Sequence, residues 1–215
     1  MVYRLLKLGH PRRVAHYFKN LAPGIFLQEL CAKPGAIGAI CPSSPYLARR
    51  MAQQVPDGDG LVIELGGGTG VITRALLKRG IPADRLIVVE LSSSFVQRLR
   101  ERFPDVRVVH GSAAELAQLI PQGERIRAIV SSLPLCSLPA PISRAILEQW
   151  RILLNDEGIA VQFTYNLRRP GWRDLLRAEE IGSATVWANL PPAQISTFSF
   201  KTRKLTPPRH EHHSS

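Results

Sequence analysis

The densest group of residues able to do chemistry is ELGGGTG, in which Glu64, Gly66, Gly68 and Gly70 stand between an apolar run, LVIEL, and a helix-like stretch, TRALLKRG. Glycine at this spacing lets the backbone turn sharply and lie against a ligand where any Cβ would collide. The pattern is GxGxG; a dinucleotide fingerprint would place a further glycine at 71, where the chain has Val71. The next apolar run, LIVVEL, carries Glu90, 24 residues after Gly66, where a carboxylate can accept both hydroxyls of a ribose. Together they predict a bound cofactor with a ribose. A later run, RIRAIVSSL, leads into Ser131, Ser132, Leu133, Pro134 and Leu135, at a strand end where groups would face the reacting atoms. His110, closing the run VRVVHG, reads as a packed or half-exposed histidine rather than a catalyst.

These residues need a sheet to hold them. From Leu61 onward, short β-branched runs alternate with amphipathic stretches, ending in GIAVQFTY (158–165) as a fifth strand and GWRDLLRAEEIG (171–182) as a helix. Continuous apolar strands separated by helices predict a parallel sheet covered on both faces. Two runs without a helix between them, ATVWANL (184–190) and ISTFSFK (195–201), are joined by Pro191, Pro192, Ala193 and Gln194 and should pair antiparallel. The expectation is an α/β, Rossmann-like fold with a seven-stranded, mostly parallel sheet and a C-terminal antiparallel hairpin, the strand count of a class I methyltransferase. A dinucleotide-binding sheet would continue with another helical crossover.

The GxGxG loop preceded by Glu64 resembles motif I of S-adenosylmethionine-dependent methyltransferases, in which the acid faces the methionyl ammonium of the cofactor. With IGAICPSSPYLARRMA (37–52), VIELGGGTGVITRALL (62–77), SSLPL (131–135), QFTYN (162–166) and NLPPA (189–193), the chain resembles the bacterial phospholipid N-methyltransferases that act on phosphatidylethanolamine at the membrane surface. The resemblance covers most of residues 25–200. It implies S-adenosyl-L-methionine as cofactor, bound by Glu64, Gly66, Gly68, Gly70, Glu90, Leu91, Ser112 and Ala113. Ser112 departs from the family, which usually carries Asp there to accept from the adenine amino group; a hydroxyl can still accept, and it can also cap the following helix. On the acceptor side the resemblance implies a head group between Ser131 to Pro134, Tyr165 and the 42–46 segment. Tyr46 and Tyr165 are the candidates to hold or deprotonate the amine, with Ser131, Ser132 and the Leu133 carbonyl orienting it. The methyl of a sulfonium is already activated and needs only an aligned lone pair, so no covalent nucleophile is required.

The chain has 215 residues and a formal net charge of +11, and residues 1–56 hold eight basic residues against one acid. Such a segment suits a polyanion, whether RNA, an anionic membrane or an import machinery. Val14, Tyr17, Phe18 and Leu21 form an apolar stripe beside Arg12, Arg13 and Lys19, an amphipathic helix suited to anionic lipid. The expected layout is a helical, basic, membrane- and substrate-facing extension over 1–56, a methyltransferase core over 57–201 and a disordered tail over 202–215. No apolar run reaches 18 residues, so no transmembrane helix is expected. Cys31, Cys41 and Cys136 have no CxxC spacing, which argues against a disulfide framework. HEHH (210–213) is not HExxH, and no metal is expected. A monomer in the bacterial cytoplasm, bound peripherally to the inner leaflet and not to nucleic acid, is the resulting expectation; an imported mitochondrial enzyme fits less well, since no Ser precedes Ser43. The competing class is an rRNA adenine dimethyltransferase, with a similar cofactor half. Those enzymes add a C-terminal helical subdomain and an aromatic after Leu-Pro on which the base stacks, where this chain has Leu135. A third class, a degenerate fold serving as an interaction module, is disfavoured by the intact glycines and Glu90.

Overall fold

Five of the apolar runs become parallel strands: β1 (Leu61–Leu65), β2 (Leu86–Glu90), β3 (Arg107–His110), β4 (Ile126–Ser131) and β5 (Ile159–Thr164). The computed structural model describes residues 44–154, 158–165, 172–176, 178–187, 189 and 192–200. The N-terminal amphipathic helix and the C-terminal tail expected from the sequence lie outside those residues. β6 (Glu179–Val186) and β7 (Ala193–Ser199) complete one seven-stranded sheet in the order β3-β2-β1-β4-β5-β7-β6. β7 runs antiparallel to both β5 and β6, so β6 points the same way as the five parallel strands. This is the mostly parallel Rossmann-like sheet with a terminal antiparallel hairpin that the sequence predicts.

Side chains alternate across the sheet because successive Cβ atoms point to opposite faces. Val62, Val88, Val130 and Val161 pack under α1 (Pro45–Ala52), α2 (Val71–Arg79) and α3 (Ser93–Arg102). Ile63, Leu65, Ile87 and Ile129 pack under α4 (Leu116–Leu119), α5 (Ala140–Leu154) and α6 (Trp172–Leu176). α1 is set by its own residues: the Ser44 hydroxyl accepts from the Leu47 N–H at 3.1 Å, and Pro45 occupies the first turn, where its missing N–H costs nothing. Its inner face, Leu47, Ala48, Met51 and Ala52, is buried in the same core as β1, β2 and β4.

The helix expected over 171–182 is a difference. Only Trp172–Leu176 is helical, and β6 starts at Glu179, paired with Ser199 of β7. Glu179, Glu180 and Ile181 are exposed, as befits an edge strand, and that polarity mimics the solvent face of a helix. Pairing with β7 supplies the backbone hydrogen bonds that a helix through Gly182 would have held only weakly. AAELAQLI likewise resolves into a 3-10 turn, Ala113–Glu115, followed by the single turn of α4.

Candidate active site

The chain leaves β1 for β2 on one side and reaches β4 on the other, so the crevice beyond the carboxyl ends of β1 and β4 is the topological switch point. The glycine loop fills its floor. Gly66, Gly68 and Gly70 have φ of 79°, 49° and 76°, left-handed values that glycine adopts at little cost. Their surroundings separate them by role. A Cβ on Gly68 would meet nothing closer than the Gly66 carbonyl oxygen at 3.9 Å, so this glycine faces open space above the loop. A Cβ on Gly70 would lie 2.5 Å from Phe103, and one on Gly67 would lie 2.4 Å from Val88 Cγ1. Gly67, absent from the sequence pattern, is thus a packing glycine that lets α3 close on the sheet. From outside, Arg102 donates to the Thr69 carbonyl at 2.6 Å and fixes the tip of the loop.

Two carboxylates flank the loop in different electrostatic states. Glu90 closes β2, and its Oε2 accepts from the Gly68 N–H at 2.9 Å while Oε1 accepts from the Ser92 N–H at 2.8 Å. Each oxygen keeps a second lone pair, which is what a vicinal diol needs as acceptor. Glu64 lies deeper, under α2, and is fully buried. Its Oε2 accepts from the Thr73 hydroxyl at 2.7 Å, and its Oε1 has no hydrogen-bond partner. Burial pushes its pKa up to about 8 from an ordinary 4.5, the Thr73 hydrogen bonds pulling against that shift and the neighbouring Glu90 charge adding to it. Thr73 was not singled out from sequence. Only the crossing of α2 over β1 brings it to Glu64.

Beyond β2 and β3 lie the remaining cofactor candidates. Leu91 is half-buried, and its carbonyl meets His110 Nε2 at 2.9 Å, so the exposed histidine is tied to the backbone beside Glu90. The Gly111 N–H donates to the Glu90 carbonyl at 3.0 Å, which carries Ser112 and Ala113 to the same end of the sheet. Ser112 is an N-cap: its hydroxyl oxygen accepts from the Ala114 N–H at 3.2 Å, with Ala113 buried beside it.

At the end of β4, Ser132 is bound into the loop. Its hydroxyl donates to the Gly66 carbonyl at 2.7 Å, and its N–H donates to the Leu65 carbonyl at 3.0 Å. The hydroxyl hydrogen is therefore committed, and what Ser132 offers an amine is a lone pair. Ser131 is fully buried, its oxygen accepting from the Leu133 N–H at 3.3 Å. The Leu133 carbonyl accepts from Gln162 Nε2 at 3.0 Å, and Gln162 Oε1 is buried with no hydrogen-bond partner. Gln162 opposes Ser131 across the β4–β5 ladder; its place in QFTYN was visible, its role was not.

Tyr165 follows β5 directly and meets Phe163 edge-on at 5.3 Å between ring centroids. Tyr46 lies on the first turn of α1 and is exposed. The Ser44 N–H donates to Asn189 Oδ1 at 3.3 Å, which brings these two residues together across 145 positions of the chain.

The methyltransferase-domain family matches residues 62–158. An ornithine lipid N-methyltransferase of Singulisphaera acidiphila is 34% identical over 146 residues, 65% of this chain and 76% of that protein. A probable ribosomal RNA small subunit methyltransferase A of Methanospirillum hungatei is 29% identical over 168 residues, 72% of this chain and 60% of that protein. In fold, the chain resembles the 1,6-didemethyltoxoflavin-N1-methyltransferase of Burkholderia thailandensis with bound S-adenosylhomocysteine, at a TM-score of 0.63 and 16% identity, covering 85% of this chain and 92% of that one. The chain belongs to the class I methyltransferases that use S-adenosylmethionine. The residues present fit that cofactor: open space over Gly68, a diol acceptor at Glu90 and a buried acid at Glu64 whose second oxygen has no partner.

Proposed function

We propose that this chain transfers a methyl group to the amine of a membrane lipid head group, that of phosphatidylethanolamine and its mono- and dimethyl forms, working as a peripheral protein on an anionic leaflet. The observation that carries the lipid class is the match to an ornithine lipid N-methyltransferase across 76% of that protein. Bacterial ribosomal RNA methyltransferases A match over a smaller part of their length, for example 28% for the one from Cupriavidus metallidurans. The acceptor side agrees, because Leu135, where a base would need a stacking ring, is turned into the core at 4% exposure. Among the described residues no helix is long and apolar enough to cross a membrane, so the head group would be reached from the surface.

S-adenosylmethionine supplies an activated methyl when bound. Glu90 holds the ribose through the lone pairs its two backbone N–H donors leave open. Glu64 supplies negative potential beneath the glycine loop for a cationic cofactor. The Leu133 carbonyl, steadied by Gln162, and the lone pair of Ser132 accept from the lipid amine and aim its nitrogen at the crevice. A primary ammonium must first lose a proton, which the Tyr165 hydroxyl can take up while giving its own to water, a backbone carbonyl serving only as hydrogen-bond acceptor for the amine. The test is transfer of labelled methyl to vesicles containing phosphatidylethanolamine, beside vesicles with an ornithine lipid and a ribosomal RNA control. Label in phosphatidylethanolamine is expected. Label in the ornithine lipid alone moves the acceptor within the class, and label in RNA alone removes the proposal.

A further inference from the structure

We propose that Trp187 and Tyr46, with Arg49 and Arg50, form an interfacial anchor on the rim of the active-site mouth that seats this end of the sheet on an anionic bilayer. The proposal rests on the lipid reading above but concerns a surface separate from the N-terminal helix. Among the described residues the exposed large apolar side chains are Tyr46, Ile152, Leu175, Ile181 and Trp187, and the two aromatic ones sit at one place. Trp187 directly follows β6, whose last residue, Val186, pairs with Ala193 at the start of β7. Thr164, the last residue of β5, pairs with Gln194, the next residue of β7. Trp187 and Tyr165 therefore leave the same edge of the sheet two strands apart, about 10 Å at the usual strand spacing. The hydrogen bond from Ser44 to Asn189 then brings the start of α1 to this turn, with Tyr46 and Trp187 each two residues from one of its partners.

The face that α1 turns outward has the chemistry of a lipid surface. With Leu47, Ala48, Met51 and Ala52 buried, the exposed stripe is Tyr46, Arg49, Arg50 and Gln53, at i, i+3, i+4 and i+7. PYLARRMA contains no acid. Tyrosine and tryptophan favour the boundary where one end of the ring is apolar and the other wet. Arginines one turn away can extend toward phosphates while their stems lie along apolar surface. Trp187 is 74% exposed, more than any other large apolar side chain described, and nothing in the sheet requires a tryptophan there. A bilayer accounts for all three features together: aromatic, cationic and placed beside the acceptor mouth.

Trp187 is also its own reporter. Of the three tryptophans, Trp150 is 0% exposed and Trp172 6%, so the difference between wild type and Trp187→Phe isolates the emission of Trp187. The full chain would be mixed with vesicles of phosphatidylethanolamine and phosphatidylglycerol. Trp187 emission should shift to the blue, lose access to acrylamide and be quenched by brominated acyl chains. Trp187→Ala should partition roughly tenfold more weakly. Arg49→Gln and Arg50→Gln should each weaken binding about fivefold at low salt. Methyl transfer to a short-chain phosphatidylethanolamine dispersed below its micelle concentration should stay at the wild-type rate in Trp187→Ala. Vesicle binding with unchanged Trp187 emission and an unaffected Trp187→Ala variant would overturn the proposal, placing the anchor elsewhere. Acrylamide protection of Trp187 without vesicles would overturn it too, since another part of the chain would cover the patch. Should Trp187 enter the bilayer while no lipid is methylated, the anchor stands and the acceptor assignment is the part that fails.

Discussion

Replacing Glu64 by Gln tests whether the buried acid beneath the glycine loop is a charge switch for the cofactor. Glu64 is fully buried, its Oε1 without a partner, and burial holds its pKa up at about 8 against an ordinary 4.5. In the cofactor-free protein at pH 7 the group is then about nine-tenths protonated. A bound cation favours the ionised form, so binding should expel close to one proton. Ionising Glu64 at pH 7 costs about 1.4 kcal/mol of the binding free energy, and the cost vanishes above pH 8. Cofactor affinity should therefore rise nearly tenfold from about pH 6 to pH 7, more gently to pH 8, and then level off. Titration calorimetry in buffers of low and high ionisation enthalpy would count the proton. Glu64→Gln cannot release one: its affinity should be lower above pH 8 and free of this slope. Stability carries the same signature with the opposite sign. The folded state keeps a proton that the unfolded state has lost between pH 4.5 and 8, so this group's stabilising contribution is full below 4.5 and lost as pH rises through 8. Glu64→Gln should flatten that decline. No proton release at pH 7 in the wild type, or the same pH slope in Glu64→Gln, would refute the reasoning.

Four further substitutions separate packing from chemistry. Gly67→Ala drives a Cβ to 2.4 Å from Val88 and 2.8 Å from Leu99, and should cost about 1–3 kcal/mol in a denaturation experiment, whereas Gly68→Ala meets no clash but must hold a left-handed φ of 49°, so it should lose about 1 kcal/mol of stability and weaken cofactor binding as well. Tyr165→Phe keeps the ring against Phe163, so turnover should fall with little change in cofactor affinity; unchanged turnover would remove the hydroxyl from the mechanism. Gln162→Leu removes the donor to the Leu133 carbonyl and should lower kcat with little change in cofactor affinity, on the order of a tenfold loss if that one hydrogen bond positions the acceptor site.

The fold was legible because it is written in local pattern. Continuous β-branched runs could only be buried strands, and a run lacking a helix before its successor could only return antiparallel. What misled was the edge of the sheet: Glu179, Glu180 and Ile181 form part of β6, yet their polarity matches the outer face of a helix, since one unpaired side of a strand meets water much as a helix does. That the glycine loop and Glu90 come together was legible for a related reason. Gly66, Gly68, Gly70 and Glu90 stand at strand ends whose spacing along the chain is set by one strand–helix–strand unit, so distance in sequence stands in for distance in space.

No such proxy exists for residues that meet across the sheet order. Thr73 reaches Glu64 from a helix, Gln162 reaches Leu133 from the neighbouring strand, and Asn189 reaches Ser44 across 145 residues; none follows a spacing rule. Hydroxyl direction is equally invisible in sequence, and here it decides chemistry. A small polar residue at the end of β4, such as Ser132, can face an acceptor amine. In the structure its hydrogen goes to the Gly66 carbonyl, tying the acceptor side of the crevice to the glycine loop that floors the cofactor side. An ammonium, which only donates, can still use the oxygen that remains. Ser132→Ala should therefore affect both sides at once, loosening the loop as well as removing an acceptor. If it raised the KM for lipid alone, with cofactor affinity unchanged, the bond to Gly66 would not be coupling the two halves of the site.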